Sequence, residues 1–389
     1  MALRDLADGL HDVASIGLVL GKQMVADSLA DVRDVEPGLP DELVERLHPR
    51  RVPGRVAEII EETASTRTLR LVPVGEPFPP FRAGQFFALL CEVGGVRTSR
   101  AYSVSSPPTR SYLDITVRKM PSGFVSVYLC EEAAVGDVFE LSGPGGSFYH
   151  EPMTDSRELV FLAGGSGVTP FMSMVRSFAD LDAGPRVHLV YGSRTLDDVI
   201  FEDELAAMAR THESFRLDLV ISEPPDEFSG CRGFLDAPML SSLLDGAEGK
   251  TFFICGPHAM YGLCTGALEG LGVSPASVKK EASGPPPDIT LVEGWPKKIK
   301  PSKKATVRIE GTRSSFEALC GEPLLNSLER NGVAVENLCR SGECGVCRSQ
   351  LVSGEVFMPA SVVLRKADVA FGYIHPCMSY PLGDITIRL

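Results

Sequence analysis

The sequence has 389 residues, too many for one hydrophobic core and enough for two to four domains of ordinary size. With 44% apolar and 23% charged residues, its composition is that of a globular protein and excludes a disordered or fibrous chain. A net charge of −13 excludes the clustered Lys and Arg that phosphate contacts require, so no nucleic acid is expected as a partner.

Residues 1–50 carry ten Asp or Glu against five Lys or Arg, and Leu6, Leu10, Val13, Ile16 and Leu20 recur at helical spacing. This predicts a helical N-terminal extension. Its longest apolar stretch, residues 16–20, falls far short of the roughly 20 residues a bilayer span needs, and Asp5, Asp8 and Asp12 stand where an export signal would be basic. No transmembrane segment is expected. Ten cysteines without a leader read as thiols and metal ligands in a reducing compartment, the cytoplasm.

Over residues 51–152 short β runs (55–60, 68–72 and 113–118) alternate with Gly and Pro turns, which predicts a small antiparallel β-barrel. A strand at 158–162 then runs into a glycine turn, a helix at 171–179 and a strand at 187–191, a βαβ unit. Strands at 216–221 and 251–254 and a helix near 238–244 continue the alternation, predicting an α/β parallel sheet over residues 153–284. Residues 285–303 are Pro-rich and basic, as an extended linker would be, and the last domain spans 304–389.

In that last domain Cys339, Cys344 and Cys347 follow the spacing Cys-x4-Cys-x2-Cys, with Cys377 remote. Structural zinc is the other reading of a Cys-x2-Cys pair, but zinc sites normally pair two such knuckles or supply His. Gly342 and Gly345 allow the loop to curl with its amides pointing inward, which suits a buried negative cluster. With the helical segment 323–332 before it and 352–356 after it, the region resembles plant-type ferredoxin. The resemblance implies an α+β β-grasp domain whose four thiolates hold a [2Fe-2S] cluster. Ten Lys or Arg against nine Asp or Glu in residues 301–389 lead to the expectation that partner docking depends weakly on ionic strength.

Upstream, Arg100-Ala101-Tyr102-Ser103, the turn 122–126 and the segment 143–148 occur in order. A flavin diphosphate needs a guanidinium and free backbone amides at a turn or helix start, and Arg100 with Gly123, Val125 and Ser126 offers both. In an isolated barrel the same Arg and Tyr would read as a surface cation and a core aromatic. Together the three segments resemble the flavin motifs of the ferredoxin-NADP+ reductase superfamily, which implies that Arg100 meets the flavin phosphates and that Tyr102 and Ser103 approach the isoalloxazine.

Gly165, Gly167, Thr169 and Pro170 match that superfamily's G-x-G-x-T-P loop, which receives the NAD(P)H pyrophosphate at a helix N-terminus. Cys255, Gly256, Pro257 and Met260 resemble its C-G-P-x-x-M segment, which implies that Cys255 lies beside the nicotinamide and that Ser103 and Cys255 are the catalytic pair. Ser193 and Arg194 fall where relatives contact the adenosine ribose. Acidic Asp197, Asp198 and Glu202 would repel a 2′-phosphate, favouring NADH over NADPH.

The domain order resembles the oxygenase-reductase type of phthalate dioxygenase reductase. That type uses FMN, but the turn after Pro121 lacks an arginine for a terminal monophosphate, so FAD is expected. A departure follows Glu281, where Ala282 and Ser283 replace an aromatic residue common in relatives.

What the resemblance implies is an NAD(P)H:acceptor oxidoreductase that passes electrons from NADH to FAD, to [2Fe-2S] and then to a partner metalloenzyme such as an oxygenase or demethylase. Direct reduction of a small acceptor, such as a corrinoid or ferric chelate, and a redox-sensing interaction module are the alternatives.

Overall fold

A computed structural model describes residues 51–389 apart from 122, 182–183 and 282–283. The expected N-terminal helices, Ser122 of the flavin turn, and the Ala282–Ser283 departure lie outside the described residues. Among the described residues the chain forms two six-stranded sheets, one five-stranded sheet and a two-stranded ribbon.

The first sheet comprises β1 (Val52–Thr63), β2 (Thr66–Pro73), β3 (Phe86–Val93), β4 (Val96–Ser103), β5 (Leu113–Arg118) and β6 (Val138–Gly145), ordered β4-β3-β6-β1-β2-β5. Every pairing in it is antiparallel. Its two edges meet where Val104 bridges Ile115 and the Ser105 amide donates to the Asp114 carbonyl at 2.9 Å. The closure removes both edges, as the predicted barrel requires. Inward residues Val56, Leu69, Leu89, Ile115 and Leu141 are fully buried, and α1 (Phe124–Glu131) adds Val125 and Leu129 to that core.

The second sheet holds β7 (Glu158–Gly164), β8 (Arg186–Ser193), β9 (Phe215–Ile221), β10 (Cys231–Arg232), β11 (Thr251–Cys255) and β12 (Val278–Glu281), all parallel, in the order β10-β9-β8-β7-β11-β12. Helices α2 (Thr169–Asp180), α3 (Glu202–Thr211), α4 (Ala237–Leu243) and α5 (His258–Gly270) join its strands. Strand order reverses between β7 and β11. A crevice at the carboxyl ends of such neighbours is where open α/β sheets take their ligands. Phe148, which follows the barrel's last strand, packs in this second core against Phe171 and Phe253, so the two domains share apolar contact.

The third sheet is mixed: β13 (Lys304–Ile309), β14 (Ser315–Leu319), β15 (Ser349–Ser353), β17 (Tyr373–Ile374) and β19 (Ile385–Arg388), ordered β14-β13-β19-β15-β17, with only β13 and β19 parallel. Strands β16 (Val356–Phe357) and β18 (Tyr380–Pro381) form the ribbon. The sheet wraps α6 (Leu324–Arg330), whose Leu324 and Leu328 are fully buried, and a short α7 spans Lys366–Ala370. The segment expected to be an extended linker is anchored instead. Trp295, the only tryptophan in the sequence, lies 5.4 Å from Phe357 and 6.2 Å from Tyr380, ring centre to ring centre. Burying an aromatic of that size outweighs the solubility of the lysines around it.

Candidate active site and cluster loop

Strand β4 carries Arg100 to Ser103 out to the barrel's open end, and all four residues stay partly accessible. Burial pushes the Tyr102 phenol well above its usual range. The Arg100 guanidinium donates to Thr98 Oγ1 at 2.8 Å and to the Ser99 carbonyl at 2.6 Å. Burial, and then the neighbouring Arg340, lower its pKa to about 10. Helix α1, which packs on β3 and β5, starts without a side-chain cap, which leaves first-turn amides open for an anion. A Cβ at Gly123 would collide with Ser126 Oγ, and that hydroxyl is fixed by the Met120 amide at 3.1 Å.

At the end of β7 the glycine turn 165–168 and the start of α2 face the turn after β11. Gly165 adopts φ +53°, accessible to glycine at little cost. A Cβ at Gly167 would strike the Cys255 carbonyl, and one at Gly164 or Gly256 would stand 2.6 Å from Met260 Sδ. These glycines are therefore required by the close approach of two loops. Thr169 donates to the Ser166 carbonyl at 3.0 Å, and Pro170 is buried at the first turn of α2. Pro257 precedes α5. Ser193 Oγ is buried at the end of β8 without a hydrogen-bond partner in the protein. Arg194 is exposed and pairs with Asp198 at 3.4 Å, and Asp198 also pairs with Arg118 at 3.1 Å.

The three domains meet at Glu281, the last residue of β12. Ser103 Oγ donates to its Oε2 at 3.2 Å, and the Tyr261 hydroxyl donates to its carbonyl. Glu281 is partly accessible as a residue, yet its carboxyl lies deep in the junction, and burial raises its pKa to about 8. The negative charge of Glu343, in the cysteine loop, adds to the same upward push. In the sequence Glu281 marks only the end of the last strand of the nucleotide domain. Its environment is assembled from three domains, so no local spacing marks it.

In the cysteine loop the sulfurs come together as two pairs. Cys339 Sγ accepts from the amides of Ser341 and Cys344, each at 3.4 Å, and Cys347 Sγ lies 3.4 Å from Cys377 Sγ. Hydrogen bonding from the Cys344 thiol, followed by those amides, draws Cys339 down to about 4, and the Cys377 thiol lowers Cys347 likewise. Among the described residues no three His, Cys, Asp or Glu side chains converge on a single ion. Two pairs rather than a triad is what a two-iron cluster with two thiolates per iron asks for. Gly342 (φ +83°) and Gly345 (φ +70°) give the loop its curl, and all four cysteines are free thiols. The residues present fit the group.

Comparison with known families follows the same division. Residues 54–150 match the oxidoreductase FAD-binding domain, 161–265 the oxidoreductase NAD-binding domain, and 307–382 the 2Fe-2S iron-sulfur cluster binding domain. The chain is 32% identical over 338 residues to NADH oxidoreductase HCR of Escherichia coli, covering 86% of this chain and 96% of that one.

The chain belongs to the ferredoxin-NADP+ reductase superfamily, in its branch with a C-terminal 2Fe-2S domain.

Members of this branch similar to the chain include the glycine betaine monooxygenase reductase subunit of Chromohalobacter salexigens (30% over 347 residues, 86% of this chain and 94% of that one). Another is the ferredoxin reductase component of 3-ketosteroid-9-alpha-monooxygenase from Mycolicibacterium smegmatis (31% over 344 residues, 85% and 94%). The solved structure of phthalate dioxygenase reductase superposes with a TM-score of 0.64 at 22% identity, over 87% of this chain and 98% of that one, and shows the same fold. As a member of this superfamily the protein is an NAD(P)H oxidoreductase using FAD, NADH and a [2Fe-2S] cluster. Among the described residues no helix is long and apolar enough to cross a membrane.

Proposed function

We propose that the chain is the reductase component of a partner metalloenzyme, an oxygenase or demethylase, taking electrons from NADH and delivering them one at a time through its cluster domain. The observation that carries this reading is the junction at Glu281, where a residue of the flavin barrel (Ser103), two of the nucleotide domain (Tyr261 and Glu281) and one of the cysteine loop (Glu343) share a single electrostatic environment. A stand-alone ferredoxin or a sensor module would have no need of that convergence. The domain limits we propose are 51–152, 153–284 and 304–389, with 285–303 as the anchored connection.

Flavin supplies the conversion between a two-electron hydride donor and a cluster that accepts single electrons. In our reading Arg100, with the amides of Gly123, Val125 and Ser126, holds the diphosphate, and Ala101, Tyr102 and Ser103 line the ring. Gly165, Gly167, Thr169 and Pro170 receive the NADH pyrophosphate, Ser193 and Arg194 the ribose. Gly256, Pro257 and Met260 shape the turn that presents Cys255 to the nicotinamide. Cys339, Cys344, Cys347 and Cys377 hold the irons. Ser103 fixes the ring edge by its hydroxyl while its partner Glu281 keeps a proton near neutral pH.

Turnover of NADH with a purified Rieske-type oxygenase, against the same reductase given only small corrinoid or ferric-chelate acceptors, tests the proposal. Product formation dependent on the oxygenase supports it. An oxygenase that stays oxidised and forms no product while NADH is consumed contradicts it.

A further inference from the structure

Electrons leave a buried cluster through whichever part of its loop reaches the surface. Cys339, Cys347 and Cys377 are buried and Cys344 is exposed. The rim beside Cys344 is built by the segment 363–371. The Val363 amide donates to the Gly342 carbonyl at 3.1 Å, and a Cβ at Gly345 would stand 3.8 Å from the Arg365 guanidinium.

Charge on this rim leans positive. Buried Asp368 accepts from Arg365 at 3.2 Å and from Arg348, which directly follows Cys347, at 3.0 Å. One carboxylate is thus shared by two guanidiniums, and Lys366 beside them is exposed. The loop's own acid, Glu343, is exposed beside Cys344 and also acts on Glu281 and Tyr261, so the rim sets Arg348, Arg365 and Lys366 against Glu343 and the buried Asp368. The near balance of charge over residues 301–389 is therefore an average over an uneven surface, and the expectation of weak salt dependence does not follow from it. Val346 (44%) of the cysteine loop and Val363 (60%), Val369 (63%) and Phe371 (67%) of the segment that flanks it are exposed, apolar side chains of the kind that contact surfaces use.

We propose that this apolar, positively charged edge is where the electron acceptor docks, and that it selects an acceptor protein whose redox centre lies behind an apolar patch rimmed by Asp and Glu. This rests on the relay reading above. On a chain of net charge −13 the acidic remainder of the surface repels an acidic partner, while the basic edge attracts it toward Cys344.

The test uses the full holoprotein, NADH, and two haem proteins of opposite surface charge: acidic cytochrome b5 and basic cytochrome c. Reduction of cytochrome b5 is expected to slow roughly tenfold as ionic strength rises from about 0.01 M to about 0.15 M. Cytochrome c is expected to show no such slowing. In Arg365→Glu/Lys366→Glu the two responses should exchange, while NADH-driven ferricyanide reduction is unchanged. Lys366→Glu alone leaves both Asp368 pairs in place and should move the salt dependence in the same direction if the double variant loses its cluster. A salt response identical in wild type and variants, with the NADH-reduced cluster signal present, overturns the docking surface and spares the relay. Loss of that signal from the wild type overturns both.

Discussion

Arg340 and Glu329 form a buried, two-pronged ion pair between the cysteine loop and helix α6, with N–O distances of 2.7 and 3.0 Å and side chains only 6% and 8% exposed. Arg340 directly follows Cys339 and takes φ +54°, so the pair holds a turn that lacks a glycine. The same Glu329 accepts from Thr98 of β4 at 2.9 Å, and Ser99 Oγ donates to Asn337 Oδ1 at 2.5 Å. One buried carboxylate thus ties the cluster loop to the strand that carries Arg100.

Removing one side of such a pair leaves an uncompensated buried charge, which typically costs about 3–5 kcal/mol. Glu329→Gln keeps shape and some hydrogen bonding but strands Arg340. It is expected to lower the thermal midpoint and to slow cluster reduction more than flavin reduction by NADH. Stopped-flow traces at separate flavin and cluster wavelengths read the two steps. Equal slowing of both would show that the pair supports the fold in general rather than the seating of the loop.

Glu281 predicts a pH dependence of stability. Its folded pKa, about 8, lies above the 4.5 of an unperturbed glutamate, so the folded protein keeps a proton that the unfolded chain releases between those values. The contribution of this residue to stability therefore falls as pH rises from about 4.5 through about 8, by at most about 1.4 kcal/mol per pH unit. Denaturant unfolding of wild type and Glu281→Gln between those limits should show a shallower decline in the variant. Parallel curves would contradict the buried, protonated carboxyl.

Gly167 should tolerate no side chain. A Cβ there meets the Cys255 carbonyl, and backbone on both sides cannot yield as a flexible side chain would. Gly167→Ala is expected to cost on the order of 1–3 kcal/mol and to raise KM for NADH sharply, because the two loops of the crevice are forced apart. An unchanged KM would mean that NADH does not bind between these loops.

Asp198 pairs with both Arg118 and Arg194, beyond the end of β8 where we propose that the ribose binds. Asp198→Ala should free a guanidinium for a 2′-phosphate and lower KM for NADPH by roughly tenfold, a gain of about 1.4 kcal/mol, with a smaller change for NADH. Steady-state kinetics with both nucleotides would check it. Cys255→Ala, for its part, is expected to slow flavin reduction by NADH, and an unchanged bleaching rate would remove Cys255 from the site.

The sequence displayed the parts of this site that rest on local geometry. Gly165, Gly342 and Gly345 carry the positive φ of their own turns, and three of the four cysteines share one loop, so both are legible in one dimension. Arg340, Glu329, Arg118 and Glu281 are not. Each owes its role to a partner more than ten residues distant or in another domain, and as isolated charges they look like any solvated side chain. The linker misled for the same reason: its lysines dominate composition, whereas Trp295 decides the packing by reaching Tyr380, far along the chain.

The central claim is that NADH electrons reach the cluster of this same chain. Anaerobic addition of NADH to the holoprotein, followed by low-temperature electron paramagnetic resonance, tests it most directly. The account predicts flavin bleaching together with the signal of a reduced [2Fe-2S] cluster. Bleached flavin with a silent cluster, in protein containing its full iron and sulfide, would contradict it.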